Sequence, residues 1–484
     1  MDRILRATAA IGLSTILTVG FGALRYKFIA VEIGADGVGL LGILLAAVAF
    51  GVIFFSAGLP TSGVQATAAA EDDRPVFERA RAALIIGSRW LAAVGGAAIT
   101  VVALTIGRPL LPSSMGPTLA VWLGLALAAT VVSGAQVALL NGVGRIRALA
   151  TSNALGSAVG TVATITAVYV SEPAGIIAAL AATPFATLIF TSWSLRRDRK
   201  HYPHLRFSEW WPEFRGMFLL GGVIMLGMLL GSATQLFIRL WLQHTGGLED
   251  AGYFQAAWSI TSVYLGFVLG ALAVEYYPRI CKQINELGRL NTSVDRQIRV
   301  ALLLGTPVLL WMIVASPLVL HILYVPSFQI ATELVRWQLF GDILKIAGWA
   351  VAFLLLARKS RVAFFVTELS WNICYLAIAI PLATLGGFKT LGIAYAVSYA
   401  FYTLVTLLLA YKETRFLLNR LTTAMLLTIL LVGGATLWGS ESDSMAGTAI
   451  SIALASVMTV ASVISIVLWR ARDRKDSLVE EPLA

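Results

Sequence analysis

The run Val38-Gly-Leu-Leu-Gly-Ile-Leu-Leu-Ala-Ala-Val-Ala-Phe-Gly-Val-Ile-Phe-Phe-Ser-Ala-Gly-Leu-Pro60 contains no charged residue. A helix needs ~20 residues to cross ~30 Å of hydrocarbon, so this stretch spans a membrane. Apolar runs of that order lie at about 7–32, 38–60, 82–106, 118–141, 150–170, 174–195, 216–242, 253–277, 299–321, 332–357, 362–384, 391–411, 422–438 and 446–469. Turn-forming sequences separate several of them: Gly34-Ala-Asp-Gly37, Gly116-Pro117, Glu172-Pro173, Thr245-Gly-Gly247 and Gly386-Gly387. Residues 7–31 read as one long apolar segment after Arg3 and Arg6, without a small-residue cleavage site. The pattern predicts an all-α polytopic membrane protein of about fourteen transmembrane helices.

Composition agrees. Charged residues are 13% of the chain and apolar residues 58%, with a mean hydropathy of +0.82. A soluble domain carries ~25% charged residues, so this chain cannot clothe a water-facing surface of its size. The net charge of +10 does not mark a nucleic-acid binder, because the basic residues lie in short loops between apolar runs. Cys281 and Cys374 fall in different segments, one expected in a cytoplasmic loop and one in the membrane, which excludes a disulfide framework. The histidines, including the His201 and His204 pair in a basic loop, lack metal-ligand spacing.

The Lys and Arg distribution orients the chain. With both termini in the cytoplasm, the cytoplasmic segments hold 28 of the 36 basic residues, and the outer loops hold only Arg108 and Lys389. The outer loops instead carry acids: Asp36, Glu172, Glu249, Asp250, Glu441 and Asp443. The longest basic stretch, residues 196–215, mixes Arg with Trp210 and Trp211. It reads equally as a segment lying on the anionic leaflet or as a solvated loop with aromatic anchors.

Six basic residues remain inside apparent spans: Arg25, Lys27, Arg89, Arg239, Arg336 and Lys345. The acids Glu275, Asp342 and Glu368 join them. A charge at mid-membrane costs roughly 2.5–3.5 kcal/mol on insertion scales, so such groups pair with one another or face a polar cavity. Asp342 and Lys345 are i,i+3 neighbours on one helix face. They form either an internal ion pair or an anion-binding lysine beside a carboxylate that answers to protons or a coupling cation. Arg25, Lys27 and Arg239 come near the outer ends of their spans, where snorkelling accounts for each alone. Arg89 reads as snorkelling inward.

A weak repeat relates the segment after the first span, 34–42, to the segment after the seventh, 246–255. Arg25 and Lys27 precede Gly39 by 14 and 12 residues, and Arg239 precedes Gly252 by 13. Repeated halves are common in transporters, with the substrate between them. A cationic site drawn from both halves calls for an anionic ligand. The chain has no Walker A motif and no nucleophile elbow, so transport by ATP hydrolysis within this chain is excluded.

Trp337-Gln-Leu-Phe-Gly-Asp342-Ile-Leu-Lys345, followed by Leu354-Leu-Leu-Ala-Arg-Lys-Ser-Arg361 and Thr367-Glu368, resembles helices ten and eleven of the Wzx polysaccharide flippases, above all the lipid III flippases. Lys27-Phe-Ile-Ala-Val31, the 34–42 turn, Arg239 and Gly252-Tyr-Phe-Gln255 fit the same pattern, and the likeness covers most of residues 1–412. It implies the multidrug/oligosaccharidyl-lipid/polysaccharide exporter fold, with two six-helix lobes in a V around a central cavity. The lobes would be 1–195 and 216–412, joined by the basic linker 196–215, with two extra helices and a cytoplasmic tail in 413–484.

The resemblance implies a flippase, not an enzyme, that moves an undecaprenyl-diphosphate-linked oligosaccharide (O-antigen or a related unit) between leaflets of the bacterial inner membrane by alternating access. By that analogy Arg25, Lys27, Arg239, Arg336 and Lys345 hold the diphosphate, and Asp342, Glu368 and Glu275 are coupling candidates. No cofactor is implied beyond coupling to a proton or sodium gradient. The implied partners are membrane lipids, a polysaccharide polymerase and a chain-length regulator, with no nucleic acid. Arg25, Glu275 and the last two spans depart from the lipid III pattern; the lipid II flippases of the superfamily resemble this chain in having fourteen helices. The other reading within the superfamily is a multidrug or toxic-cation antiporter. A membrane-embedded glycosyltransferase or polymerase is disfavoured by the short outer loops.

Overall fold

The structure is a computed structural model and describes residues 2–70, 73–105, 116–171, 174–196, 206–358, 360–442 and 444–479. Arg108, Glu172, Asp443 and residues 197–205 of the basic linker, with His201 and His204, lie outside the described residues. The helices are α1 (Asp2–Glu32), α2 (Gly34–Ser56), α3 (Leu59–Ala69), α4 (Arg74–Thr105), α5 (Gly116–Gly142), α6 (Ile146–Val170) and α7 (Ala174–Leu195). They continue with α8 (Phe207–Lys282), α9 (Leu287–Leu323), α10 (Thr332–Ala357), α11 (Arg361–Gly386), α12 (Leu391–Thr414), α13 (Arg420–Glu441) and α14 (Met445–Val479). Short 3-10 turns, Pro326–Ala331 and Phe388–Thr390, lead into α10 and α12.

Twelve of these helices are long and apolar enough to cross a membrane. One of the twelve, α8, is broken at Gly247 (φ 85°, ψ −179°), a conformation that only glycine adopts without strain. The break falls in the Thr245-Gly-Gly247 turn and divides α8 into two arms, the seventh and eighth spans. With α1, a further helix of 31 residues, the architecture is the expected all-helical bundle of about fourteen crossings.

The second span differs from its sequence reading. Residues 38–60 do not form one helix, because Ala57 (φ 47°) and Gly58 (φ 71°) turn left-handed and α3 starts anew. A proline within the first turn of α3 suits a helix start, where its missing N–H is not needed. The described end of the basic linker also has structure. Residues 207–215 are the first turns of α8, and Trp210 and Phe214 turn inward, 5% and 7% exposed, against Leu84, Leu139 and Leu195. Cys281 is exposed, Cys374 is half-buried, and the two are unbonded.

The chain forms two compact units, Met1–Gln255 with Leu323–Val325, and Ala256–Ile322 with Pro326–Ala484. Small residues bring the helices together, as expected where lipid gives no hydrophobic drive between helices. In the first unit, α4 and α5 meet at Gly96 and Gly124, and α6 meets α7 where Gly156 and Gly160 face Thr187 and Thr183. In the second, Gly341 and Gly348 of α10 pack on Tyr395 and Tyr402 of α12.

The two glycines of the weak repeat touch. A Cβ on Gly39 would lie 2.1 Å from the Leu248 carbonyl oxygen, and one on Gly252 would lie 2.1 Å from that of Ala35. The other end of α2 shows the same feature, since Gly58 and Gly221 each approach the other's backbone closely. Replacing Gly39 by Val should therefore lower stability by at least ~1–3 kcal/mol through overpacking. Gly222→Ala, where nothing lies within 4 Å of the added Cβ, should change it by less than ~0.5 kcal/mol. Thermal unfolding of the purified variants in detergent measures both, and equal behaviour would refute the close backbone contact.

Candidate functional site

In the first unit two of the candidates, Arg25 and Lys27, lie near the C-terminal end of α1. Arg25 Nη1 donates to Thr183 Oγ1 at 2.6 Å, and the α6–α7 contact at Gly160 holds Thr183 in place. Arg25 Nε is buried and finds no acceptor among the described residues. Lys27 Nζ donates to the backbone carbonyl of Tyr324, whose ring packs 6.4 Å from that of Tyr26.

Arg239 is 4% exposed, too deep to snorkel. Its Nε donates to Gln255 Oε1 at 2.9 Å, and its Nη1 donates to Gln235 Oε1 at 2.9 Å. The guanidinium lies over the Phe254 ring, 5.2 Å from its centroid. Gln255 Nε2 donates in turn to Tyr26 Oη at 3.1 Å. One glutamine thus links Arg239 to the residue between Arg25 and Lys27. Arg25 itself turns to Thr183 of α7 and Lys27 to the Tyr324 carbonyl, so the two side chains leave α1 toward different partners.

In the second unit the tenth span carries the densest chemistry. Gln338, Asp342 and Lys345 recur at i, i+4 and i+7 on one face of α10. Asp342 is fully buried; its Oδ1 accepts a 2.7 Å hydrogen bond from Tyr395 Oη and lies 3.9 Å from Lys345 Nζ. Lys345 also donates to Tyr395 Oη at 3.2 Å, and its ammonium sits 4.9 Å from the centre of the Tyr399 ring. Glu368 of α11 lies within electrostatic reach of Lys345 and of the Tyr402 hydroxyl. Thr261 donates to Gln338 Oε1 at 3.2 Å. Gln338 Nε2 and Asp342 Oδ2 are buried with no partner among the described residues. Such orphaned atoms are costly unless a water, proton or ion satisfies them.

Two candidates stand elsewhere. Arg336 Nε donates to Ser316 Oγ at 3.1 Å and to the Ile313 carbonyl at 3.3 Å. That carbonyl is left over because residue 317 is proline and has no N–H to give. Arg336 therefore joins the Ser316 hydroxyl in satisfying a carbonyl that α9, continuous across Pro317, leaves without a backbone donor. Glu275 is exposed and paired with Arg279 at 3.0 Å, one turn along α8. Arg89, the remaining intramembrane basic residue, is exposed on α4.

Tyr395, Tyr399 and Tyr402 of α12 join the site without having been among the sequence candidates. Their i, i+4, i+7 spacing was the available signal, because it puts three hydroxyls on one helix face. With Trp371 and Tyr375 of α11 they form a continuous aromatic stack. Gln235 and Gln255 had no comparable signal.

The fold is shared with solved membrane transporters. It is similar to the lipid II flippase MurJ in an inward closed conformation, with 13% identity and a TM-score of 0.68 over 96% of this chain and 99% of that one. It is likewise similar to an inward-facing multidrug resistance MATE family transporter of the MOP superfamily, with 16% identity and a TM-score of 0.70 over 87% of this chain and 98% of that one. In sequence it is 23% identical over 409 residues to the lipid III flippase of Escherichia coli (strain K12), covering 80% of this chain and 94% of that protein. Residues 4–283 match the family model described as polysaccharide biosynthesis protein, and the chain belongs to that family.

The Asp342–Lys345 pair can be tested apart from transport. Lys345→Met leaves a buried carboxylate without its ammonium and should cost ~3–5 kcal/mol. Adding Asp342→Asn should restore a large part of that loss, with a coupling of ~1–3 kcal/mol between the sites. Thermal unfolding of the four proteins reads the cycle, and additive effects would show that the pair does not interact.

Proposed function

We propose that this chain is a flippase that carries an undecaprenyl-diphosphate-linked oligosaccharide from the cytoplasmic to the periplasmic leaflet of the bacterial inner membrane. Both termini lie in the cytoplasm in this reading, as the Lys and Arg distribution requires. It is a transporter and breaks no bond. The observation that carries the proposal is Arg25, a guanidinium inside a membrane helix that donates to a neutral hydroxyl and has an Nε with no acceptor among the described residues. Lys27 on the same helix, and Arg239, which reaches Tyr26 of that helix through Gln255, add positive charge to the same unit. A diphosphate satisfies several such donors at once, whereas a cationic drug would be repelled. Membership of a polysaccharide biosynthesis family and the sequence likeness to a lipid III flippase support the same cargo class.

The α10 cluster supplies the coupling step. When the Asp342 carboxylate takes up a proton or a cation, Lys345 loses its counter-charge and can hold an anion; when the carboxylate is released, it reclaims the lysine. The unsatisfied Asp342 Oδ2 gives that event a place. The second reading is a cation antiporter. The aromatic stack beside Asp342 and Glu368 favours it, since tyrosine rings and carboxylates bind cations, and so does the likeness in fold to a MATE transporter.

Proteoliposomes containing fluorescent undecaprenyl-diphosphate oligosaccharide separate the two. Arg25→Gln and Arg239→Gln should each slow translocation by more than about tenfold, corresponding to one lost charge-assisted contact of ~1.5–3 kcal/mol. Wild-type rates in both single variants and in the double variant would sink the anionic-cargo reading. Asp342→Asn should abolish the dependence of transport on the pH or sodium gradient, and an unaltered dependence would leave Asp342 as a structural partner of Lys345.

A further inference from the structure

Helices α13 and α14 pack tightly at one end of their hairpin. Gly439 and Gly447 approach each other's backbone there, and Ser451 Oγ donates to the Thr436 carbonyl at 2.9 Å. Halfway along, Trp311 of α9 donates through Nε1 to Thr459 Oγ1 at 3.1 Å, tying α14 to α9. Toward the opposite end the three helices enclose a groove of about 590 Å³. That volume lies within the roughly 300–1,000 Å³ typical of small-molecule sites. Its walls are apolar, with Leu303, Met425, Ile429, Met458 and Leu468 among them.

The mouth has a different chemistry. Arg296 and Arg299 stand one turn apart on α9 and line the groove beside Trp469 of α14. Arg296 lies over the Trp469 ring, 4.5 Å from its centroid. Arg299 is held from behind by Asp295, at 3.3 Å, and its buried Nε has no acceptor among the described residues. Asp295 also accepts from the backbone N–H of Asn419 at 3.0 Å, which fixes the start of α13 to the same corner. Tryptophan and arginine at this level mark the headgroup region of a bilayer, here on the Lys- and Arg-rich side.

We propose that this groove is a binding site for an anionic glycerophospholipid of the surrounding bilayer. An acyl chain lies between α9, α13 and α14, and the phosphate rests on Arg296 and Arg299. Charge complementarity selects the occupant. An apolar slot alone would accept any lipid chain, but two guanidiniums at its mouth select a negatively charged headgroup. None of the transport candidates lines this groove. The site therefore stands whether the cargo is a lipid-linked glycan or a drug.

The test is titration of phospholipid into the delipidated full-length chain in detergent, read by native mass spectrometry. Dioleoyl-phosphatidylglycerol should bind and dioleoyl-phosphatidylcholine should bind much more weakly. Arg296→Gln with Arg299→Gln should weaken phosphatidylglycerol binding by about thirty-fold, equivalent to ~2 kcal/mol, or ~1 kcal/mol per basic residue. Arg289→Gln, an exposed residue paired with Glu286, should leave it unchanged. Ser462→Phe fills the groove without altering charge and should also block binding; should that variant fail to fold, Trp469→Ala tests the same wall. Equal binding of the two lipids, or full binding by both the arginine and the groove variants, overturns the proposal. So does displacement of phosphatidylglycerol by undecaprenyl phosphate at equal concentration, which would make the groove a polyprenyl site. Competition by millimolar inorganic phosphate alone would show an anion site without a lipid and also overturns it.

Discussion

A charged side chain surrounded by hydrocarbon has no water to turn to, so its hydrogen bonds must be met by the protein itself. Much of the chemistry of this molecule follows from that requirement. Arg239 answers it with two glutamines and a phenylalanine face. Arg336 answers it with the carbonyl that Pro317 leaves over in α9. Asp342 answers it on one oxygen with Tyr395, near Lys345, and leaves the other oxygen unmet. Where an atom is left over, as on Asp342 and Arg25, a proton, an ion or a cargo can complete it.

The scaffold that makes such placement possible rests on small residues. Lipid does not push helices together, so close packing must come from backbones that can approach each other. Gly39 with Gly252, and Gly58 with Gly221, bring backbone of α8 from both sides of its Gly247 break against the two ends of α2. Gln255 lies one turn beyond Gly252 and so faces Gly42 of α2 as well as Arg239. The glycine contact thus sets the position of the glutamine that links Arg239 to α1. Packing and candidate chemistry are one arrangement in this part of the chain.

The family, the fold and the local chemistry each narrow the function from a different side. The fold is shared with transporters whose names denote a lipid cargo in one case and multidrug resistance in the other, so fold alone does not choose between them. The family is one of polysaccharide biosynthesis. The choice falls to the sign of the charges: basic groups in the first unit, and in the second a lysine among carboxylates and tyrosines.

The amino-acid sequence by itself determined the solvent and the helical crossings. Runs such as 118–141, which folds as α5, depend on local composition, and hydrocarbon thickness converts run length directly into a membrane crossing. It also marked Asp342 and Lys345 as a pair, because an i,i+3 spacing is a property of one helix. It could not separate Arg336, which meets the carbonyl that Pro317 leaves over, from Arg25, whose Nε is unmet, since both are simply arginines in apolar spans. Nor could it place Tyr395 against Asp342 across 53 positions, join Arg239 to Tyr26 through Gln255, or open a groove between α9 and the last two helices. Those partnerships are formed between helices far apart in the chain, and only tertiary packing decides which side chain meets which.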